Sequence, residues 1–116
     1  MIDVTIDGLR TVNSQNVREH WSKRAARAKQ HRLQAWAELR AADNAPRCIG
    51  PVTVTLTRIA PRRMDDDGAI ASLKAVRDGV ADWLGIDDGS KLITWRYAQS
   101  KGEPKKYAVR IEVTHA

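Results

Sequence analysis

Between Val52 and Leu84 the hydrophobic period changes once, and that change limits the folds open to this chain. Val52, Val54 and Leu56 alternate with Thr53, Thr55 and Thr57 up to Arg58, the two-residue repeat of a half-buried strand. Ala69, Leu73, Val76, Val80 and Leu84 then recur at helical spacing, with Ile70 and Trp83 beside them, which predicts a helix from about Gly68 to Leu84. Gly85 supplies a stop for that helix. Alternation returns from Lys91 to Gln99, with Leu92 and Thr94 against Ile93, Trp95 and Tyr97. It recurs where Tyr107, Val109, Ile111 and Val113 alternate with Ala108, Arg110, Glu112 and Thr114.

The N-terminal half adds one strand and one long helix. Ile2, Val4 and Ile6 alternate with Asp3, Thr5 and Asp7, and Gly8 ends the run. After a polar loop, Asn16 is placed to cap a helix from about Val17 to Ala42. Its apolar positions are Val17, Trp21, Ala25, Ala28, Ala35, Leu39 and Ala42, interrupted by Arg32. Asp43-Asn44-Ala45-Pro46 breaks the helix, and Gly50-Pro51 introduces the next strand. Ile86-Asp87-Asp88-Gly89 reads as a tight turn, and Ser100 to Pro104 as a hairpin-like loop. The order β-α-β-α-β-β specifies an α+β fold, a mixed four-stranded sheet with two main helices, and 116 residues suit one domain over 1–116.

Charge narrows the partners. Formal net charge is +6, and a basic domain of this size commonly meets a polyanion, nucleic acid first. A basic surface with no such partner is the alternative on charge alone. The cations gather on the first helix: Arg18, Lys23, Arg24, Arg27, Lys29 and Arg32, with His20 and His31, stand against one acid, Glu19. Arginines three residues apart on one helix face can reach successive phosphates, although a solvated surface face has the same pattern. His20 and His31 lack metal-pair spacing and read as surface residues. No apolar run approaches the roughly 20 residues of a membrane span, and the first residues lack a signal-peptide pattern. One cysteine, Cys48, leaves no internal disulfide, and a cytoplasmic location is expected.

Within this basic chain lies Arg62-Arg63-Met64-Asp65-Asp66-Asp67-Gly68. Three successive carboxylates repel unless a helix start, an arginine or a divalent metal sits among them. If the chain there is extended, Asp65 and Asp67 project alike and Asp66 points elsewhere. With Asp88 they would make an oxygen-rich set suited to Mg2+ or Mn2+ rather than zinc. Such an ion draws charge from a scissile phosphate and generates a nucleophilic water. Lys74, on one helical line with Asp67, Ala71 and Asp78, is a candidate to stabilise the leaving oxygen. Helix capping is the competing explanation, good for one or two of these aspartates.

Three separated pieces, Pro61 to Asp67, Lys74-Ala75-Val76-Arg77-Asp78 and Trp83 to Asp88, resemble the RusA family of Holliday junction resolvases. The family pattern is an arginine-rich approach, Asp-x-Asp-Asn, a helix with Lys-Ala-x-x-Asp, and a Leu-(x)-Asp-Asp turn. The resemblance runs from about Val52 to the end, with less specific similarity from Asn13 to Arg32. It implies a homodimeric, Mg2+- or Mn2+-dependent endonuclease that binds four-way or otherwise branched DNA and cuts two strands in a pair of phosphodiester hydrolyses, as in phage-borne DNA recombination and repair. It implies Asp65, Asp67 and Asp88 as metal ligands and Lys74 as the assisting lysine. Arg18, Lys23, Arg24, Arg27, Arg62, Arg63, Lys101 and Lys105 are the expected DNA contacts. Two departures stand out: Gly68 replaces the asparagine, and the Asp67–Lys74 interval is about three residues longer, roughly one helical turn. Both leave open a protein that binds branched DNA without cutting it.

Overall fold

The computed structural model describes residues 2–13, 19–44 and 50–115. Strand β1 (Ile2–Asp7) leads to helix α1 (Trp21–Ala42) and strand β2 (Val52–Ala60). Helices α2 (Asp66–Ser72) and α3 (Lys74–Leu84) follow, then strands β3 (Ile93–Lys101) and β4 (Ala108–His115). The four strands form one mixed sheet in the order β1-β4-β2-β3, so the expected α+β class and element order hold. β2 and β3 are parallel, with Val52 opposite Ile93 and Ala60 opposite Lys101. β4 is antiparallel to both β1 and β2. Parallel neighbours need a crossover, which α2 and α3 provide.

The segment from Ser100 to Pro104 is therefore no hairpin. β3 continues to Lys101, and β4 crosses to lie between β1 and β2 rather than beside β3. A strand buried on one face gains more by taking the central place than by pairing with its nearest neighbour in sequence. Val109, Ile111 and Val113 are wholly buried there.

The core forms between one sheet face and the helices. Val52, Val54, Leu56, Ile93, Val109, Ile111 and Val113 from the sheet meet Leu73, Val76, Val80, Trp83 and Leu84 from the crossover. Ala35 and Leu39 add the C-terminal half of α1. The threonines of β2 are half-buried on the opposite face, as the alternation requires.

The second helix is two helices. Leu73 sits between them with φ −96° and ψ 0°, and its amide turns to Ile70 and Ala71 instead of continuing an α-helical ladder. Leu73 is fully buried at the break. Ile70, expected beside the apolar stripe, is 41% exposed on the shorter piece. Gly85 ends α3 as expected, with φ +75° and its amide bonded to Ala81 and Asp82 carbonyls.

α1 departs more from expectation. Trp21, Ala25 and Ala28 are exposed, and the buried residues are His31, Ala35 and Leu39. Among the described residues, the N-terminal half of α1 contributes none to the hydrophobic core cluster. His31, read as a surface residue, is buried, whereas His20 is exposed and caps the helix through the Ser22 amide. The expected Asn16 cap, Val17 start and Pro46 break lie outside the described residues.

α1 and α3 meet at Gly79, where a Cβ would fall on the Arg32 carbonyl oxygen and 2.9 Å from the Ala35 Cβ. The contact is fastened beside it by Arg32, whose Nε and Nη2 donate to Asp82 at 2.7 and 2.8 Å. Alanine would add up to about 1 kcal/mol of helix propensity at position 79. The clash is with backbone and cannot be relieved by a rotamer change, at a cost of roughly 1–3 kcal/mol or more. Gly79→Ala is therefore expected to lower the urea midpoint of unfolding, and an unchanged or raised midpoint would show that the helices separate freely.

Candidate nucleic-acid interface

The aspartate run begins where β2 has ended and α2 starts. Asp65 has extended backbone angles and is the α2 N-cap, its carboxylate accepting from the Gly68 amide at 3.3 Å. Asp66 and Asp67 are in the first helical turn, where the helix dipole favours carboxylates. The chain is thus already helical at Asp66, and the strand-like alternation that would have aimed Asp65 and Asp67 alike does not occur. Asp66 has both of the supports open to it in the sequence, the start of a helix and an arginine, since Arg63 donates to it at 3.1 Å. Asp67 is exposed and has no ion-pair partner among the described residues.

Asp88 is held from two sides. Lys74 Nζ donates to its Oδ2 at 3.0 Å and Arg77 Nε to the same oxygen at 3.0 Å. The Lys74 hydrogen bond, more than any other cause, lowers the Asp88 pKa. Lys74 also donates to Asp78 at 2.8 Å, the i,i+4 partner, and its own pKa is raised, chiefly by that bond. Arg77, which sequence reasoning passed over, further donates to the Tyr97 hydroxyl at 2.8 Å and the Asp88 carbonyl at 3.1 Å. Its guanidinium carbon lies 4.6 Å from the Trp95 ring centroid, and the Trp95 indole donates to the same Asp88 carbonyl at 2.8 Å.

The loop before the run is fixed separately. Gln99 of β3 accepts from the Met64 amide at 3.0 Å and donates to the Met64 carbonyl at 2.7 Å. The two anchor points on β3, Trp95 for Asp88 and Gln99 for Met64, are four residues apart, about 13 Å along a strand. Among the described residues no three histidine, cysteine or acidic side chains form a group that could hold a metal ion. The donors are of the hard, oxygen-rich kind that Mg2+ takes. As they stand they do not fit one ion: Asp65 faces its own helix, and Asp88 faces two cations. The break at Leu73 also removes the continuous helical line from Asp67 to Lys74.

Gly68 has a physical reason. A Cβ there would lie 2.7 Å from Asp65 Oδ1 and 2.8 Å from Asn13 Nδ2. The carboxamide of Asn13, from the segment after β1, occupies the space in which a side chain at position 68 would begin. The departure from Asp-x-Asp-Asn is thus matched by an amide brought from elsewhere in the chain.

The expected DNA contacts fall into distinct places. Arg24 and Arg27 of α1 face Lys74 and Arg77 of α3 across a cleft of about 510 Å³, which Tyr97 and His31 also line. Arg24 has no acidic partner among the described residues, while Arg27 is bridged to Glu19. Lys23 is exposed on the same helix. Arg62, Arg63 and Lys101 share a second depression of about 390 Å³, and Arg62 and Lys105 line a third. Arg18 lies outside the described residues. Among the described residues no helix is long and apolar enough to cross a membrane.

No family model matches the chain. A Xylella fastidiosa (strain Temecula1 / ATCC 700964) protein, described only as an uncharacterized protein, is 38% identical over 80 residues, 65% of this chain and 52% of its own length. The chain thus spans about half of that relative, whose description names no activity.

Two predictions come from this geometry. His31 is buried in the cleft wall; burial first, then the positive field of Arg27, lowers its pKa from 6.5. The unfolded chain therefore takes up this proton before the folded one, so the contribution is fully present above about pH 6.5 and is lost as pH falls toward the folded-state pKa. Unfolding midpoints measured from pH 7 to 5 should fall, and fall less steeply in His31→Gln. Separately, Gly68→Asn should destabilise by roughly 1–3 kcal/mol through the two close contacts. Asn13→Ala should recover much of that loss in the double variant, and strict additivity of the two substitutions would show that the positions do not touch.

Proposed function

We propose that this protein binds branched DNA, four-way junctions first, as a homodimer, and acts with Mg2+ or Mn2+ as a structure-specific endonuclease of the kind it resembles. The observation that supports this most is the α1–α3 cleft, in which Arg24, Arg27, Lys74 and Arg77 converge beside the crossover that carries the aspartates. Opposed rows of cations suit a phosphate backbone, and the cleft's arginines supply planar, multi-donor contacts to phosphate oxygens. Arg62, Arg63 and Lys101 extend the positive surface toward the start of α2, where a second stretch of backbone would lie.

A second reading, binding without cutting, is favoured by one specific observation. Asp88 is already neutralised by Lys74 and Arg77, which both bond its Oδ2, so its carboxylate has less charge to offer a metal ion. In that reading the aspartates are structural: a cap, a dipole partner and an anchor for the Asp87–Gly89 turn.

The two separate on a synthetic four-way junction. Either one predicts binding that weakens steeply with salt. Replacing Arg24 and Arg27 by alanine should reduce the slope of log affinity against log salt by about 2, if each neutralises one phosphate. Cleavage with Mg2+ or Mn2+ that disappears in Asp67→Asn supports the endonuclease; undiminished cleavage in that variant removes Asp67 from it. Tight binding with no cutting under either ion selects the binding protein. No preference for junction over linear duplex would refute both.

A further inference from the structure

Arg58 occupies a place the strand pattern reserves for the core. It follows Val52, Val54 and Leu56 on the inward face of β2 and is only 8% exposed. A guanidinium stays charged when buried, so its five N–H groups need acceptors. Nη1 donates to the Arg62 carbonyl at 2.9 Å and reaches Gln99 Oε1 at 3.4 Å. Nε is buried and has no hydrogen-bond partner among the described residues. Burial foremost, and more weakly the charge of Arg10, lower the pKa of this guanidinium, against an opposing pull from Tyr107.

A second buried donor points the same way. Thr11 is 5% exposed, and its Oγ1 likewise lacks a partner among the described residues. Both line one cavity of about 530 Å³, together with Arg10, Arg62, Lys105 and Tyr107. Every charged residue among its described lining residues is a cation. Arg10 is held at the wall by cation–π contact, 4.5 Å from the Tyr107 ring centroid. Lys105 is held at φ +61°, a left-handed conformation that a residue with a side chain adopts only when the surrounding turn imposes it.

Crowded cations repel one another, and buried donors without acceptors are destabilising. A tetrahedral oxyanion answers both, because it brings negative charge and several acceptor oxygens at once. We propose that this cavity, where Arg58 and Thr11 meet Arg10, Arg62 and Lys105, is a binding site for a phosphate group. The site uses none of the aspartates and none of the α1 cations, so it stands apart from the cleft and from any metal chemistry. The phosphate has two possible sources, free inorganic phosphate or a nucleic-acid strand.

Calorimetric titration of the full chain with inorganic phosphate, at ionic strength held constant with sodium chloride, tests this. Saturable binding is expected, with an unfolding temperature that rises with phosphate concentration. Thr11→Val, which keeps the shape, and Lys105→Gly, which also suits the left-handed backbone, should each weaken binding by about tenfold or more, the loss of one charge-assisted contact. Replacing Arg24 and Arg27 by alanine should leave this titration unchanged while impairing junction binding, so the two readings fail separately. No saturable binding above the chloride background, or equal binding by wild type and both cavity variants, would overturn the proposal. Competition then assigns the source. Displacement by a 5′-phosphorylated but not a 5′-hydroxyl oligonucleotide identifies a strand end, displacement by both identifies a backbone phosphate, and displacement by neither identifies the free ion.

Discussion

Arg77 joins the three parts of this fold that carry charge. Its guanidinium binds the Asp88 carboxylate, the Asp88 carbonyl and the Tyr97 hydroxyl, and lies against Trp95. One side chain of α3 thereby ties the turn entering β3 to the middle of β3 itself. The parallel pairing of β2 and β3 makes this necessary. The crossover must return to its sheet at a defined height, and the Asp87–Gly89 turn is short, closed by the Ser90 amide on the Asp87 carbonyl. Removing Arg77 would leave Asp88 with Lys74 alone, an exposed and flexible partner, and would leave the Tyr97 hydroxyl without this donor.

The same anchoring explains why the acidic residues are spread out. Gln99 holds Met64 near the C-terminal end of β3, and Trp95 holds Asp88 near its start. Between the two anchors the crossover must fit α2, the break at Leu73 and the first turns of α3. Lys74 and Arg77 share one oxygen of Asp88, Oδ2, on the α3 side of the crossover. Asp66 and Asp88 are paired with cations, Asp65 caps α2, and Asp67 is exposed.

Much of this was legible in the sequence, for reasons particular residues make plain. Val52 to Leu56 and Val109 to Val113 alternate because one sheet face is buried and the other is not. The stripe from Ala69 to Leu84 announced the crossover correctly, yet Leu73 serves that stripe equally well in one helix or at the joint between two. Periodicity reports which side is buried and does not report where the axis bends. The order of β4 and β3 was hidden for a related reason, since alternation gives a strand a face but no neighbour. His31 stands on one helix line with Arg24 and Arg27 and one turn before Ala35, so its position on α1 was compatible with either a surface or a buried side chain. Arg58 was readable by parity alone: it stands two residues after Leu56, on the inward face. Asn13 carried no such signal, because its approach to Gly68 depends on a loop between elements far apart in sequence.

Charge pairing, finally, gives the net charge of +6 a direction. The pairs Asp3–Arg110, Asp82–Arg32, Asp66–Arg63 and Glu19–Arg27, with Asp88 between Lys74 and Arg77, neutralise cations locally. Twelve described cations have no acidic partner among the described residues: Arg10, Lys23, Arg24, Lys29, Arg40, Arg58, Arg62, Lys91, Arg96, Lys101, Lys105 and Lys106. Six of them, Arg10, Arg24, Arg58, Arg62, Lys101 and Lys105, line one of three depressions, the α1–α3 cleft and the two that flank Arg58. Unpaired charge set in concave surfaces is screened less by salt than charge spread over a convex one, because low-dielectric walls focus its field. The excess positive charge is therefore divided: half of the unpaired cations are gathered in concavities, where their field is focused, and the other half lie elsewhere on the surface.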